Sequence, residues 1–113
     1  MKKWIPDCYW PGASHGSYLS HESICVLNTE DRPAHLALTL YFEDREPLDG
    51  FAVLVGARRT RHIRMDALIS ERGDRVPRDT PYAVLLESDE DVAVQYTRVD
   101  TTQSELALMT TVV

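Results

Sequence analysis

His35-Leu36-Ala37-Leu38-Thr39-Leu40-Tyr41-Phe42 alternates with period two. Leu36, Leu38, Leu40 and Phe42 fall on one side and His35, Ala37, Thr39 and Tyr41 on the other, as a β-strand with one buried face requires. No window of the chain carries a comparable 3.6-residue apolar stripe, so strands dominate the reading outward from this segment. Upstream, Ser23 to Leu27 is β-branched and apolar and ends in Asn28-Thr29-Glu30-Asp31-Arg32-Pro33, a cluster of turn-forming residues. Downstream, Glu43 to Gly50 reads as a charged turn, after which Phe51, Val53 and Val55 alternate with smaller residues. Gly56 marks a bulge or bend leading into a further strand. Residues 70 to 81, with Gly73, Pro77 and Pro81, resist regular structure and read as a functional or subunit-contacting loop. Tyr82 to Glu87, Val92 to Val99 and the threonine-rich Leu106 to Val113 complete a set of seven or eight short strands. Such a set predicts an all-β fold, an antiparallel sandwich or a barrel.

The chain of 113 residues supports one domain, 1–113, and is long enough to bury roughly two thirds of its unfolded surface. A hydrophobic content of 43% and a charged content of 27% are those of a soluble globular protein. No apolar run approaches the ~20 residues of a membrane span. Lys2 and Lys3 resemble the start of an export signal, but Pro6 and Asp7 arrive before any apolar stretch has formed. Cys8 and Cys25 cannot make a dense disulfide framework and are expected as thiols, which points to the cytoplasm.

The formal net charge is −6, yet residues 57 to 66, Ala-Arg-Arg-Thr-Arg-His-Ile-Arg-Met-Asp, hold four of the twelve basic residues. An acidic chain does not bind nucleic acid over its whole surface, so only this local patch is suited to anions. Apart from Lys2 and Lys3 every cation is arginine, whose planar fork matches carboxylates and similar groups. On this strand Thr60, His62 and Arg64 share one face, and Arg61, Ile63 and Met65 the other. A simple alternative is an edge strand whose charges deter sheet-to-sheet aggregation. A histidine flanked by forked donors tips the reading toward a recognition surface.

Val92 to Asp100 adds a second polar strand. Gln95 stands where an apolar core residue is expected, and a buried amide there needs hydrogen-bond partners. Arg98 and Asp100, two apart, suit either a surface ion pair or a binding role. Catalytic chemistry finds little support. His21 and Cys25 are about 13 Å apart along an extended chain at roughly 3.3 Å per residue, which excludes a local dyad. His62 has access to Cys25 only through the fold, and a buried structural thiol is the favoured reading of Cys25. The histidines show no metal-ligand spacing, and the scattered glycines form no phosphate cradle. No enzyme, metal or cofactor is expected.

Several motifs then occur in a fixed order: Ser20-His21-Glu22, Cys25, Leu27-Asn28, Ala57-Arg58-Arg59-Thr60 with His62 and Arg64, Pro77, Asp79-Thr80, and Gln95-Tyr96-Thr97-Arg98 with Asp100 and Gln103. This set resembles the sensory rhodopsin transducer family of small soluble proteins, over about Ser20 to Thr111. The resemblance implies a β-sandwich of jelly-roll type, assembled as a homotetramer, acting as a cytoplasmic partner of a light-sensing membrane protein. It also implies a pocket for a small sugar-like or anionic ligand, lined by His21, Glu22, Arg58, Arg59, His62, Arg64, Gln95, Thr97, Arg98 and Asp100. Several of these alternate in facing, so one pocket collects them all only through a bulge at Gly56 or a subunit interface. The leading expectation is a non-enzymatic signalling and binding module. The alternative is a DNA-binding regulator that sets its arginine strand on phosphates.

Overall fold

A computed structural model describes residues 1–113. The chain forms eight strands: β1 Lys2–Cys8, β2 His21–Asn28, β3 Ala34–Phe42, β4 Leu48–Val55, β5 Arg59–Arg64, β6 Tyr82–Ser88, β7 Ala93–Asp100 and β8 Ala107–Val112. One 3₁₀ turn, Met65–Ala67, follows β5. The strands make two four-stranded antiparallel sheets, ordered β1-β6-β3-β4 and β5-β2-β7-β8. The all-β sandwich expected from the alternation is the observed architecture. No helix is long and apolar enough to cross a membrane.

The core lies between the sheets and follows strand parity. Leu36, Leu38 and Leu40 of β3 meet Ile24 and Val26 of β2, Phe51 and Val55 of β4, Val84 and Leu86 of β6, and Val94 and Tyr96 of β7, all buried. Fully burying side chains of this kind contributes about 1.5–3 kcal/mol each relative to exposure. Buried Asn28 closes the end of β2. Its Nδ2 donates to the carbonyls of Arg32 at 2.8 Å and Gly56 at 3.1 Å, and its Oδ1 accepts from Glu30 N–H at 3.0 Å. One amide thus fixes both the β2–β3 turn and the passage out of β4.

That passage is where Gly56 was expected to introduce a bulge or bend. The bend is present: Gly56 to Arg58 carry the chain from one sheet to the other, and Arg58 takes a left-handed backbone with φ 55°. Its N–H donates to Glu30 O at 3.0 Å and its Nε to Asp31 Oδ1 at 2.7 Å, bonds that hold a conformation unfavourable for a residue with a side chain. The bulge sits earlier. Leu38 pairs with Phe51 but Leu40 with Leu48, so β4 carries one extra residue, accommodated by Gly50 at φ 87°. Leu48 to Gly50, expected in the charged turn, therefore belongs to β4.

Two segments escape the alternation pattern. β1 pairs with β6 at a sheet edge, with a register shift between Ile5 and Cys8, the two residues it buries. Residues 70 to 81 form the expected irregular loop. It is anchored by the bridge Ile69 to Arg75 and by Asp79, whose Oδ1 accepts from Gly12 N–H at 2.7 Å.

Candidate functional site

Antiparallel pairing places side chains of neighbouring strands side by side on the same face, so register decides what the outer face of the β5-β2-β7-β8 sheet displays. His62 pairs with Cys25, Cys25 with Gln95, and Gln95 with Val112, which makes one row across all four strands. The row toward one end is Thr60, Leu27 and Ala93, and the row toward the other is Arg64, Ser23, Thr97 and Thr110. A groove of about 400 Å³ lies along the first two of these rows. Its floor is Cys25, Leu27, Ala93 and Val112, and its polar groups are His62, Gln95 and Thr60. Leu27 is 45% exposed, so the floor is open to a ligand.

Of the residues assigned to a pocket, His62 and Gln95 line this groove. Thr97 and Arg64 stand in the adjoining row, where the Thr97 and Thr110 hydroxyls are 2.8 Å apart. His21 shares the face but lies two rows away from Cys25, with Nδ1 at 2.8 Å from Leu19 O. Gln95 does not occupy a core position, contrary to expectation. Val94 and Tyr96 point inward, so parity turns Gln95 to the exposed face. Cys25 is likewise not the buried thiol expected of it. It is partly exposed in the groove beside His62, and Cys8 is the buried one.

The arginines separate from the groove. β5 is an edge strand, as its simpler reading has it. Arg64 forms a bidentate pair with Asp66 at 2.9 and 2.8 Å, and Arg58 pairs with Asp31. Arg59 donates to Arg58 O at 3.1 Å, and Arg61 reaches across the open side of the sandwich to Leu54 O at 2.6 Å. Arg61, which was not among the assigned residues, therefore links β5 to β4 and borders, with Arg64 and His62, a second hollow of about 460 Å³ at that edge. Arg59 and Arg61 have no carboxylate partner.

Glu22, Arg98 and Asp100 occupy the opposite face and cannot join the outer groove. Glu22 pairs with Arg98 across the β2–β7 ladder and is 0% exposed. Its carboxylate accepts from Tyr82 Oη at 2.6 Å, from Tyr9 N–H at 2.8 Å, and from the Tyr96 hydroxyl. Arg98 Nε donates to Tyr96 Oη at 3.2 Å, and its Nη2 reaches Asp7 O at 3.1 Å and Oδ1 at 3.3 Å. Asp7, rather than Asp100, is therefore the acid beside Arg98. Asp100 instead accepts from Thr102 Oγ1 at 2.6 Å and Thr102 N–H at 2.9 Å, bonds that lower its pKa. Burial, reinforced by the nearby Glu22 charge, pushes the Tyr82 and Tyr96 hydroxyls and the Cys8 thiol well above their ordinary ranges. Every buried side-chain polar atom has a partner, so this cluster is a closed structural network.

No group of three or more His, Cys, Asp or Glu side chains is arranged to hold a metal ion. A groove of about 280 Å³ on the outer face of the other sheet, between Trp4 and Tyr41, is walled mainly by aliphatic and aromatic carbons and offers few polar anchors. The Cys25 row is the better polar site.

Comparison with known proteins converges on one family. The family model described as Anabaena sensory rhodopsin transducer matches residues 1–113. Among solved structures, the crystal structure of Thermotoga maritima 1070 superimposes with a TM-score of 0.87 and 34% identity, covering 98% of this chain and 90% of that one. The Anabaena sensory rhodopsin transducer superimposes with a TM-score of 0.77 and 35% identity, covering 91% of this chain and 90% of that one. No curated protein sequence matches. With a family match along the whole chain and the same sandwich in both solved structures, this chain belongs to the Anabaena sensory rhodopsin transducer family.

Proposed function

We propose that this protein is a non-enzymatic signalling module that binds a small polyhydroxylated ligand in the outer groove of the β5-β2-β7-β8 sheet. In this reading it works in the cytoplasm as a homotetramer and passes the bound state to a partner protein, a membrane photoreceptor being the partner that family membership suggests. The observation that carries the ligand reading is the cross-strand row His62, Cys25, Gln95 and Val112. An amide and an imidazole stand on either side of a thiol, above an apolar floor, in a concavity of about 400 Å³. That combination suits a sugar-like ring, whose carbons rest on the floor while its hydroxyls bond to the two polar side chains. Arg61 stands outside this groove, on the other face of β5 beside the neighbouring hollow, so the groove's own polar groups are those of His62, Gln95 and Thr60.

The ion pairs disfavour the DNA alternative. Arg58 and Arg64 are already engaged by Asp31 and Asp66, which leaves Arg59 and Arg61 as the carboxylate-free cations of the strand in a chain of net charge −6. A phosphate-binding surface gains affinity by releasing counterions from several free cations. The test is a thermal-shift screen of monosaccharides, uronic acids, citrate and a short DNA duplex, since a ligand that binds only the folded state raises the melting temperature with concentration. A sugar or sugar acid should stabilise the protein with little dependence on salt. Stabilisation by the duplex alone, lost on adding salt, would favour the alternative.

A further inference from the structure

On one side of the sandwich β4 and β5, each the outermost strand of its sheet, border an opening that Arg61 spans by donating to Leu54 O at 2.6 Å. After β5 the chain turns through Met65–Ala67, which buries Met65 and Leu68 and leaves Ala67 and Ile69 exposed, Ile69 by 51%. The hollow of about 460 Å³ in this opening is therefore lined by carbon from three segments: Ala52 and Val53 of β4, Ile63 of β5, and Ala67, Leu68 and Ile69 after it. Its size lies within the about 300–1,000 Å³ of small-molecule pockets. Cations come to it from two separate segments. Arg61 borders it from β5. Arg75 comes from the irregular loop, where it is bridged to Ile69, and its Nη1 donates at 3.2 Å to the carbonyl of Asp66, directly before Ala67. Neither arginine has a carboxylate partner, and each spends a single donor of its fork on a backbone carbonyl. Asp66, the nearby acid, is held bidentately by Arg64. In a chain of net charge −6, two guanidinium groups thus stand un-neutralised beside exposed aliphatic carbon.

We propose that this opening is a second binding site, which takes a small carboxylate carrying an apolar body, of the aryl or branched-alkyl kind. The carboxylate matches the planar forks of Arg61 and Arg75, whose remaining donors point to no acid of the chain. The ligand's ring or alkyl carbons cover Val53, Ala67 and Ile69, which water otherwise wets. A sugar suits the hollow less well, because its lining offers carbon where hydroxyls need hydrogen-bond partners. An inorganic anion uses the arginines but leaves the apolar lining in water.

The site is distinct from the outer groove and does not rest on the ligand reading given to that groove. Cys25, Gln95 and Val112 line the groove alone, Arg61 and Ile69 line the hollow alone, and only His62 borders both. Strand parity is the reason: Ile63 turns into the sandwich on β5, while His62 turns to the outer face.

The experiment is an NMR titration of the full chain with phenylacetate, following backbone amide and arginine Nε–Hε signals, with acetate, inorganic phosphate and phenylethanol as comparison ligands. Phenylacetate is expected to move the signals of Arg61, Arg75 and Ala67 to Ile69, and to bind roughly tenfold more tightly than any of the other three, since each of those lacks the charge or the apolar body. Arg61→Gln and Arg75→Gln should each weaken phenylacetate roughly fivefold or more, and Gln95→Ala should leave it unchanged. Arg75 lies outside both sheets, so its variant tests the site even where Arg61→Gln disturbs the opening between β4 and β5. No binding of phenylacetate at millimolar concentration would overturn the site. So would acetate or phosphate binding as tightly, affinity retained in both arginine variants, or shifts confined to Cys25, Gln95 and their neighbours. A failed sugar screen changes none of these outcomes, so the two sites stand or fall separately.

Discussion

Glu22→Ala removes the acceptor that three donors share, and its cost follows from their burial. The Tyr82 and Tyr96 side chains are buried, and both hydroxyls lose their partner, as does Tyr9 N–H. A buried donor left unsatisfied costs about 1–3 kcal/mol. Three such donors sum to roughly 3–9 kcal/mol with the half-buried N–H supplying the least, so the expected penalty is the about 3–5 kcal/mol typical of breaking a buried charged network. Arg98 also loses the carboxylate that faces it through Tyr96. Against a total stability of about 5–15 kcal/mol this is a large fraction, and it corresponds to a fall in melting temperature of roughly 10–20 °C for a domain of this size. Glu22→Gln should cost less than half as much, because its carbonyl can still accept from Tyr96 and Tyr9 while its amide donates to the Tyr82 oxygen. Urea unfolding followed by circular dichroism, at fixed protein concentration to hold any oligomer constant, measures both. A Glu22→Ala penalty under about 1 kcal/mol, or a glutamine variant as unstable as the alanine one, would refute the account of Glu22 as the acceptor that organises this end of the core.

Other outcomes follow from the same structure. The raised pKa values of Tyr82 and Tyr96 mean that the native state keeps protons which the unfolded state releases, so stability is intact below the ordinary tyrosine pKa of 10.0 and is lost as pH rises above it. Spectrophotometric titration should find these two hydroxyls un-ionised until the chain unfolds, and their ionisation in the folded protein would contradict the network. Thiol labelling of the native protein should modify Cys25 and spare Cys8 until denaturant is added; equal labelling of both would place Cys8 outside the core. Arg58→Gly removes the side-chain penalty of a left-handed backbone while keeping the N–H bond to Glu30, so it should leave stability unchanged or raise it by up to about 1 kcal/mol in a denaturant melt. A loss exceeding about 1 kcal/mol would instead assign the Arg58–Asp31 pair a larger role than exposed pairs have.

The fold was legible wherever side-chain parity was clean. Leu36, Leu38 and Leu40 announced β3 and its buried face, and Ile63 and Met65 were placed inward correctly on and after the arginine strand. β1 was not legible, because Lys2, Lys3, Pro6 and Asp7 have the composition of a turn, and only its pairing with β6 makes Lys2–Cys8 a strand. The candidate groove was half legible. His62 and Gln95, which line it, were singled out by residue type, but parity already excluded Glu22 from their face, since it shares the inward register of Ile24 and Val26. The same parity turned Gln95 outward. The neighbourhood of Cys25 and His62 lay beyond any local pattern, because the register of strands far apart in sequence is set by the whole sandwich. The arginines misled for a related reason: an edge strand presents its residues to solvent and to nearby acids on both faces, and the carboxylates of Asp31 and Asp66 come from turns whose positions only the fold determines.

The most direct test of the central claim is isothermal titration of the wild type, His62→Ala, Gln95→Ala and Trp4→Ala with the sugar or sugar acid that gives the largest thermal shift. The account predicts binding to the wild type and to Trp4→Ala, and at least a tenfold loss, about 1.4 kcal/mol, in each of the two groove variants. Equal affinity across the wild type and both groove variants, or a loss confined to Trp4→Ala, would contradict it.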